Sequence, residues 1–403
     1  MTPDAEHIVF NRTHVTGREF EYMREAIGNA HLASGGNFSK RCCEWLCEHT
    51  ASRGAFLTHS CTAALELAVT LAEIGSEDEV IMPSFTFVTT ANAVVAHGGR
   101  PVFVDIREDT LCIDEAATES AITPRTKAIL PVHYAGVAPD MDAITELART
   151  HDLLVIEDAA QGIGATVGGL PLGGIGHLGA LSFHETKNVT CGEGGALLVN
   201  DERFIDRAEI VLEKGTDRRK YARGEVDKYT WVDRGSSYAL SELAAAYLWA
   251  QLEKESEIRA ARQELWSAYH EALGDLEVAG LVRRPVVPDV CTHNAHMYYL
   301  LVQDLDTRTR LIAYLNERGI NAVFHYVPLH SSPAGLKYAR ASGQLETTTQ
   351  ISQRLVRLPL WVDLGLERVR YVANAVHDFY EARPASPDAG FGVTAAGRPA
   401  HSR

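Results

Sequence analysis

An α/β fold, with a large, mainly parallel sheet and a smaller C-terminal α+β unit, is the architecture this sequence predicts. Three observations lead there. Short apolar runs alternate with helical patterns from Ala55 to about Asp201, a long amphipathic stretch follows Leu240, and a second set of strand and helix patterns lies beyond it. The runs are AFL, EVIM, PVFV, KAILPV and LLVIE, beginning at Ala55, Glu79, Pro101, Lys127 and Leu153. Between them, Thr62 to Ile74 and Met141 to Thr150 carry apolar residues near the i, i+3, i+4 spacing of a helix. Leu240 to about Tyr269 reads as one long helix, with Leu243, Tyr247, Leu248 and Leu252 on one face. Beyond it come a strand at MYYLLV, a helix around Arg308 to Glu317, a strand at NAVFHY and a final helix near Glu367 to Tyr380. At 403 residues the chain exceeds one ordinary core. The expected division is an N-terminal arm and large domain over 1–255, a small domain over 256–382, and a disordered tail over 383–403, rich in Pro, Gly, Ala and Ser.

Composition narrows the function. A formal charge of -15 argues against nucleic acid or an anionic membrane as a bulk partner. No apolar run approaches the roughly 20 residues of a membrane span, and MTPDAEHIVFNRTHV lacks the basic and apolar regions of a secretory signal, so a cytoplasmic location is expected. The seven cysteines are scattered; Cys42, Cys43 and Cys47 share a helical-looking stretch without a second ligand cluster, which suggests free thiols and no metal site. One local basic stretch, Lys214 to Arg223, could meet an anionic small molecule or be a solvated loop.

In an α/β sheet, ligands collect beyond the carboxyl ends of the strands, so the polar residues after each run carry the chemistry. THSCTAALELA puts Ser60, Cys61 and Thr62 at a strand-to-helix junction, where free N–H groups and the helix dipole favour a phosphate; ordinary N-capping explains Ser60 or Thr62 equally well. Phe87 in PSFTFVTTAN follows a strand, where its ring could stack on a flat cofactor or pack in the core. VIEDAAQG ends a buried strand in Glu157 and Asp158, so one carboxylate is expected in the cleft, facing a cation or capping a helix. SFHETKNVTCGEGG sets Lys187 in a loop between two short apolar strands, followed by glycines that let backbone approach a ligand.

Taken together, SFHETKNVTCGEGG, EDAAQG and HYVPLH resemble the DegT-type sugar aminotransferases, over the whole chain up to about residue 381. PVHYAGVA, DEVIMPSFTFV, SFHETKN and VDKYTW are similar to the members acting on dTDP-4-keto-6-deoxy-D-glucose. The resemblance implies a fold type I aminotransferase using pyridoxal 5'-phosphate, with pyridoxamine 5'-phosphate as its alternate form in the cycle. Lys187 would bear the cofactor and move the proton, and Asp158 would partner the pyridine nitrogen. Gln161 would lie near the ring hydroxyl, and Phe87 would stack on the ring. Cys61, Thr62 and Ser182 would contact the phosphate. Where many relatives have Gly-x-Asn-Tyr reaching the phosphate from a second subunit, this chain has Gly235, Ser236, Ser237 and Tyr238, so Ser237 would make that contact with a shorter reach.

The implied partners are a nucleotide-sugar, L-glutamate as amino donor and a second copy of the chain, in a homodimer with shared active sites. Arg218 or Arg219 of one chain would serve the diphosphate bound mainly by the other, and His325 and Tyr326 would complete the pocket. Members that dehydrate the sugar have histidine at the lysine position, so Lys187 argues against that branch. Amination at C3 instead of C4 and a non-catalytic regulator holding the same cofactor are the alternatives.

Overall fold

In a computed structural model of the chain, residues 7–382 are described. Their strands are β1 (Gly54–Thr58), β2 (Glu79–Pro83), β3 (Arg100–Val104), β4 (Thr126–Ile129), β5 (Leu154–Asp158), β6 (Thr166–Val167), β7 (Leu170–Pro171), β8 (Leu178–Ser182), β9 (Gly195–Val199), β10 (Cys291–Thr292), β11 (Tyr298–Leu301), β12 (Val323–Phe324), β13 (Arg340–Ala341) and β14 (Leu355–Leu358). Eight form one sheet in the order β1-β9-β8-β5-β4-β2-β3-β13. From β8 to β13 neighbours run parallel; β9 is inverted, pairing antiparallel with both β8 and β1. The β8–β9 hairpin therefore returns at the carboxyl edge of the parallel strands, and the Lys187 loop is that return.

All five predicted runs became strands of this sheet, because each is apolar at successive positions and is buried on both faces. The pleat then divides neighbouring residues. Val80 and Met82 join the core beneath the helix Cys61–Leu71, whereas Ile81 joins the core beneath the helix Met141–Thr150. The Met141–Thr150 helix has its predicted bounds; the helix expected from Thr62 to Ile74 starts at Cys61 and ends at Leu71.

Two expectations need correction. The stretch read as one helix from Leu240 to about Tyr269 is two, Glu242–Leu252 and Glu255–Ala272. The first buries Ala245, Ala246 and Leu248 against Phe38 and Leu46, while the second buries Leu265, Trp266 and Tyr269 against Tyr298 and Leu311. The chain turns at Glu253 and Lys254 because its two halves serve different cores. The second concerns LVRL, which was not read as a strand; it is β14, the centre of the sheet β11-β14-β12.

β13 comes from the C-terminal part of the chain yet closes the edge of the large sheet beside β3. Its Arg340 clamps the buried Glu79 of β2, donating from Nε (2.9 Å) and from an η nitrogen (2.7 Å). This pairing holds the Glu79 carboxyl down to about 2, with the hydrogen bond from Arg340 as the largest cause. Phe85, Tyr134, Tyr299, Leu301 and Leu355 form a further core between the large sheet and the β11-β14-β12 sheet. Among the described residues no helix is long and apolar enough to cross a membrane. The expected tail over 383–403 lies outside the described residues.

Candidate active site

A cavity of about 420 Å³ opens where the carboxyl ends of β5 and β8 meet the β11-β14-β12 sheet, and it brings together most of the residues singled out from sequence. Cys61, Thr62, Phe87, Asp158, Gln161, Ser182, Lys187, His325 and Tyr326 all line it.

Strand alternation decides which carboxylate faces the cavity. Asp158 ends β5 and turns inward, where its Oδ2 accepts a 2.7 Å hydrogen bond from the Thr90 hydroxyl and its Oδ1 accepts one from the Ala160 N–H at 3.2 Å. Thr90 is itself bonded to the Thr86 hydroxyl at 2.9 Å, which orients it. Glu157 points to the other face, where four donors at 2.6–2.8 Å enclose it: the N–H groups of Gly173, Ile175 and Gly176, and His133 Nε2. It anchors the loop before β8 and has no access to the cavity.

At the other end of the cavity the first turn of Cys61–Leu71 begins at Ser60, whose side chain caps Ala63 N–H at 3.1 Å. Helix geometry leaves the N–H groups of Cys61 and Thr62 without intrahelical acceptors. Gly195 at the start of β9 passes directly beneath this turn: a Cβ there would lie 2.5 Å from Cys61 N, so glycine is required for the approach. Burial pushes the Cys61 thiol well up, and it remains neutral. Phe87 is the N-cap of the helix Val88–Ala96 and is 56% exposed, so the core-packing alternative does not hold for it; Phe85 takes that role.

Lys187 sits in the β8–β9 loop, which is pinned at several points. Its own N–H bonds His184 O (2.9 Å), and Asn188 Nδ2 bonds Asn294 O (2.8 Å), while Asn188 Oδ1 lies 3.0 Å from His296 Nδ1. Desolvation lowers the Lys187 pKa, with Arg357 acting in the same sense and Cys61 and Asp158 opposing. Gln161 bridges two elements: its Oε1 accepts from Ala135 N–H (2.7 Å) and its Nε2 donates to the Tyr326 hydroxyl (3.3 Å). His325 stacks on Tyr326 at 3.6 Å, and burial drives its pKa down to about 2, so it is neutral.

Arg218, Arg219 and Ser237 lie outside the cavity of their own chain. The stretch read as a basic patch is also largely compensated, because the neighbouring helix Ile205–Leu212 and the residue after it supply the opposing carboxylates. Asp206 meets Lys220, Glu209 meets Arg223 and Arg219, and Glu213 meets Arg219 and Lys214. Arg218 is exposed, and no carboxylate is within 4.0 Å of it among the described residues. Sequence reading missed Thr90, Asn188, Asn294, His296 and Arg357. Of these only Asn188, one position after the lysine, carried a local signal.

The family model for the DegT/DnrJ/EryC1/StrS aminotransferase family matches residues 14–377. The spore coat polysaccharide biosynthesis protein SpsC of Bacillus subtilis is 35% identical over 335 residues, 81% of this chain and 85% of its own length. Among solved structures, DesV of S. venezuelae superposes with a TM-score of 0.84 at 30% identity, covering 93% of this chain and 99% of that one. The aminotransferase TlmJ from Streptoalloteichus hindustanus gives 0.85 at 27%, covering 93% and 99%. The donor set fits pyridoxal phosphate: free helix N–H groups and hydroxyls for the phosphate, an exposed ring, a buried carboxylate and a desolvated lysine in one cavity. By its sequence match and by the cavity its fold builds, the chain belongs to the DegT/DnrJ/EryC1/StrS aminotransferases, a family of pyridoxal-phosphate enzymes.

Proposed function

We propose that this aminotransferase moves an amino group from L-glutamate to a nucleotide-linked keto-sugar, dTDP-4-keto-6-deoxy-D-glucose, to give dTDP-4-amino-4,6-dideoxyhexose. The observation that carries the reading is the convergence of Lys187 and Asp158 on one cavity, in a chain whose motifs resemble the C4-acting members. When bound, pyridoxal phosphate supplies an aldehyde that can hold the transferred nitrogen and a pyridinium ring that takes up an electron pair. The N–H groups of Cys61 and Thr62, with the Ser182 hydroxyl, would hold its phosphate, and Phe87 would cover one face of its ring. Asp158, oriented by Thr90, would keep the ring nitrogen protonated, while Gln161 would sit beside the ring hydroxyl. Lys187, its pKa lowered by desolvation, would accept a proton at Nζ and return it to a neighbouring carbon.

The nucleotide-sugar would enter past His325 and Tyr326. Arg218 and Arg219 would reach it from a second subunit, with Arg218 the better candidate because Arg219 already faces Glu209 and Glu213. Ser237 would reach the phosphate by the same route. Support for a shared site comes from apolar surface in the same segment: Trp231 is 78% exposed, Tyr229 54% and Val232 50%. Incubation with dTDP-4-keto-6-deoxyglucose and L-glutamate, followed by NMR of the sugar product, tests the substrate; no amination at C4 refutes it. Subunit sharing is tested by mixing Lys187→Ala with an Arg218→Ala, Arg219→Ala variant. Activity should return in the exchanged heterodimers, and its absence despite exchange places both groups within one chain.

A further inference from the structure

His296 lines the same cavity as Lys187, just ahead of β11, and has no task in the account above. A chain of amide hydrogen bonds decides what it presents there. Asn188 Nδ2 donates to Asn294 O at 2.8 Å; a carbonyl can only accept, so the Asn188 amide has one orientation and its Oδ1, 3.0 Å from His296 Nδ1, is an acceptor. The imidazole hydrogen therefore sits on Nδ1, and Nε2 keeps a lone pair. Asn294 is fixed by the same logic. Its Nδ2 bonds Gln161 O and Ile163 O, both at 2.8 Å, so its Oδ1 accepts the His296 N–H at 3.1 Å and holds the backbone that carries the ring.

His325 has the reverse arrangement. The buried Tyr134 hydroxyl lies 3.2 Å from its Nδ1 and meets no other acceptor among the described residues, so the phenol donates to Nδ1 and the imidazole hydrogen is on Nε2. Neither Nε2 has a protein partner among the described residues, and neither is sealed off from the cavity that both rings line. Burial keeps His296 neutral by driving its pKa well below the usual histidine value, with Lys187, Arg262, Arg357 and His325 acting in the same sense. The charges of the lining are Lys187 and Arg357 against Asp158 and Glu193, with Glu193 Oε1 3.6 Å from His184 Nε2.

The wall at His296 thus offers a standing lone pair, which repels carboxylate and phosphate oxygens and suits an O–H donor. Of the two substrates proposed above, the amino donor brings carboxylates and the keto-sugar brings hydroxyls. Asn188 follows Lys187 directly in the chain, so the lone pair is anchored through it to the lysine loop.

We propose that His296 is a specificity-determining residue whose Nε2 accepts a hydrogen bond from the hydroxyl on the carbon beside the reacting ketone, the 3-hydroxyl of a 4-keto-sugar. This rests on the nucleotide-sugar reading of the same cavity.

The test uses the holoenzyme and two variants that separate the edges of the ring, with cofactor content and melting temperature measured first. An asparagine amide overlies the Nδ1 edge and a glutamine amide the Nε2 edge, so His296→Asn keeps a group facing Asn188 and removes the cavity acceptor, while His296→Gln returns an oxygen to it. In single turnovers with dTDP-4-keto-6-deoxyglucose, His296→Asn should lose about 10- to 100-fold and His296→Gln should recover part of that loss. With the 3-deoxy analogue the parent should already be slower by about as much, and His296→Asn should change it by no more than about threefold. The L-glutamate half-reaction should also stay within about threefold. Independently of turnover, ¹⁵N NMR of the histidine-labelled holoenzyme should show the resonance that His296→Asn removes as protonated at Nδ1 only, from about pH 6 to 8. A hydrogen on Nε2, equal losses on the two sugars, or a loss with L-glutamate as large as with the sugar overturns the proposal. If the parent reacts with L-glutamate but with no keto-sugar, the nucleotide-sugar reading fails and the proposal falls with it; if the sugar is aminated and the tautomer is the other one, the proposal alone falls.

Discussion

The two faces of β5 carry adjacent buried carboxylates with opposite fates. Glu157 is saturated by four donors and fastens a loop, whereas Asp158 accepts from one hydroxyl and one N–H and keeps the rest of its capacity turned into the cavity. Burial by itself therefore does not mark a functional acid. What distinguishes the two is unspent acceptor capacity next to a desolvated lysine and an unpartnered arginine. The same contrast separates Arg357 from Arg340, which has placed its donors on Glu79.

The sharpest way to break the comparison is at the cavity side. Lys187→Ala should leave a folded protein with steady-state transamination reduced by roughly 10⁴-fold, because the substitution removes the amine proposed to bear the cofactor and carry the proton; retained turnover ends the assignment. Asp158→Asn should cost roughly 10²-fold or more in both half-reactions while leaving thermal stability nearly unchanged. Rates within a few-fold of the parent in single-turnover measurements make Asp158 another structural acid.

Glu157→Gln should do the reverse. It swaps an acceptor for a donor amid three N–H groups and should destabilise by about 3 kcal/mol in denaturant unfolding, with activity per folded molecule preserved. A stable but inactive Glu157→Gln would erase the distinction between the faces.

A smaller effect concerns Glu79. Its folded pKa is lowered to about 2, so the native state binds fewer protons than the unfolded one, and the stabilisation present above the usual glutamate range should fade as pH drops from about 4.5 towards 2. Glu79→Gln should flatten that part of the acid-unfolding curve. The mildest test is capture of pyridoxal phosphate by the cofactor-free protein. Its ascending pH limb should lie below the usual lysine value of about 10.4, because desolvation lowers Lys187.

Much of this was readable in the chain. The apolar runs at Ala55, Glu79, Pro101, Lys127 and Leu153 are doubly buried strands, and such runs declare themselves locally. β14 did not, because Arg357 interrupts its apolar pattern, and that residue lines the cavity. The break at Glu253 and Lys254 was equally invisible: no Gly or Pro marks it, and only the two cores on either side require it.

For the site, position in the sequence brought forward Cys61, Thr62, Phe87, the Glu157–Asp158 pair and Lys187, since each falls at or just after the end of a strand or in the lysine loop, where an α/β sheet exposes its ligands; Gln161 and Ser182 came only with the family resemblance. Sequence alone left open whether Glu157 or Asp158 faces the cleft, and it could not foresee that Lys214, Arg219, Lys220 and Arg223 are met by Asp206, Glu209 and Glu213 while Arg218 is not. Nor could it join Thr90 to Asp158 or Asn294 to Asn188, contacts spanning 68 and 106 residues. Periodicity and motif order act over a few residues and are written in the chain; strand register, charge pairing and the satisfaction of buried donors depend on distant segments meeting, and only the tertiary structure decides them.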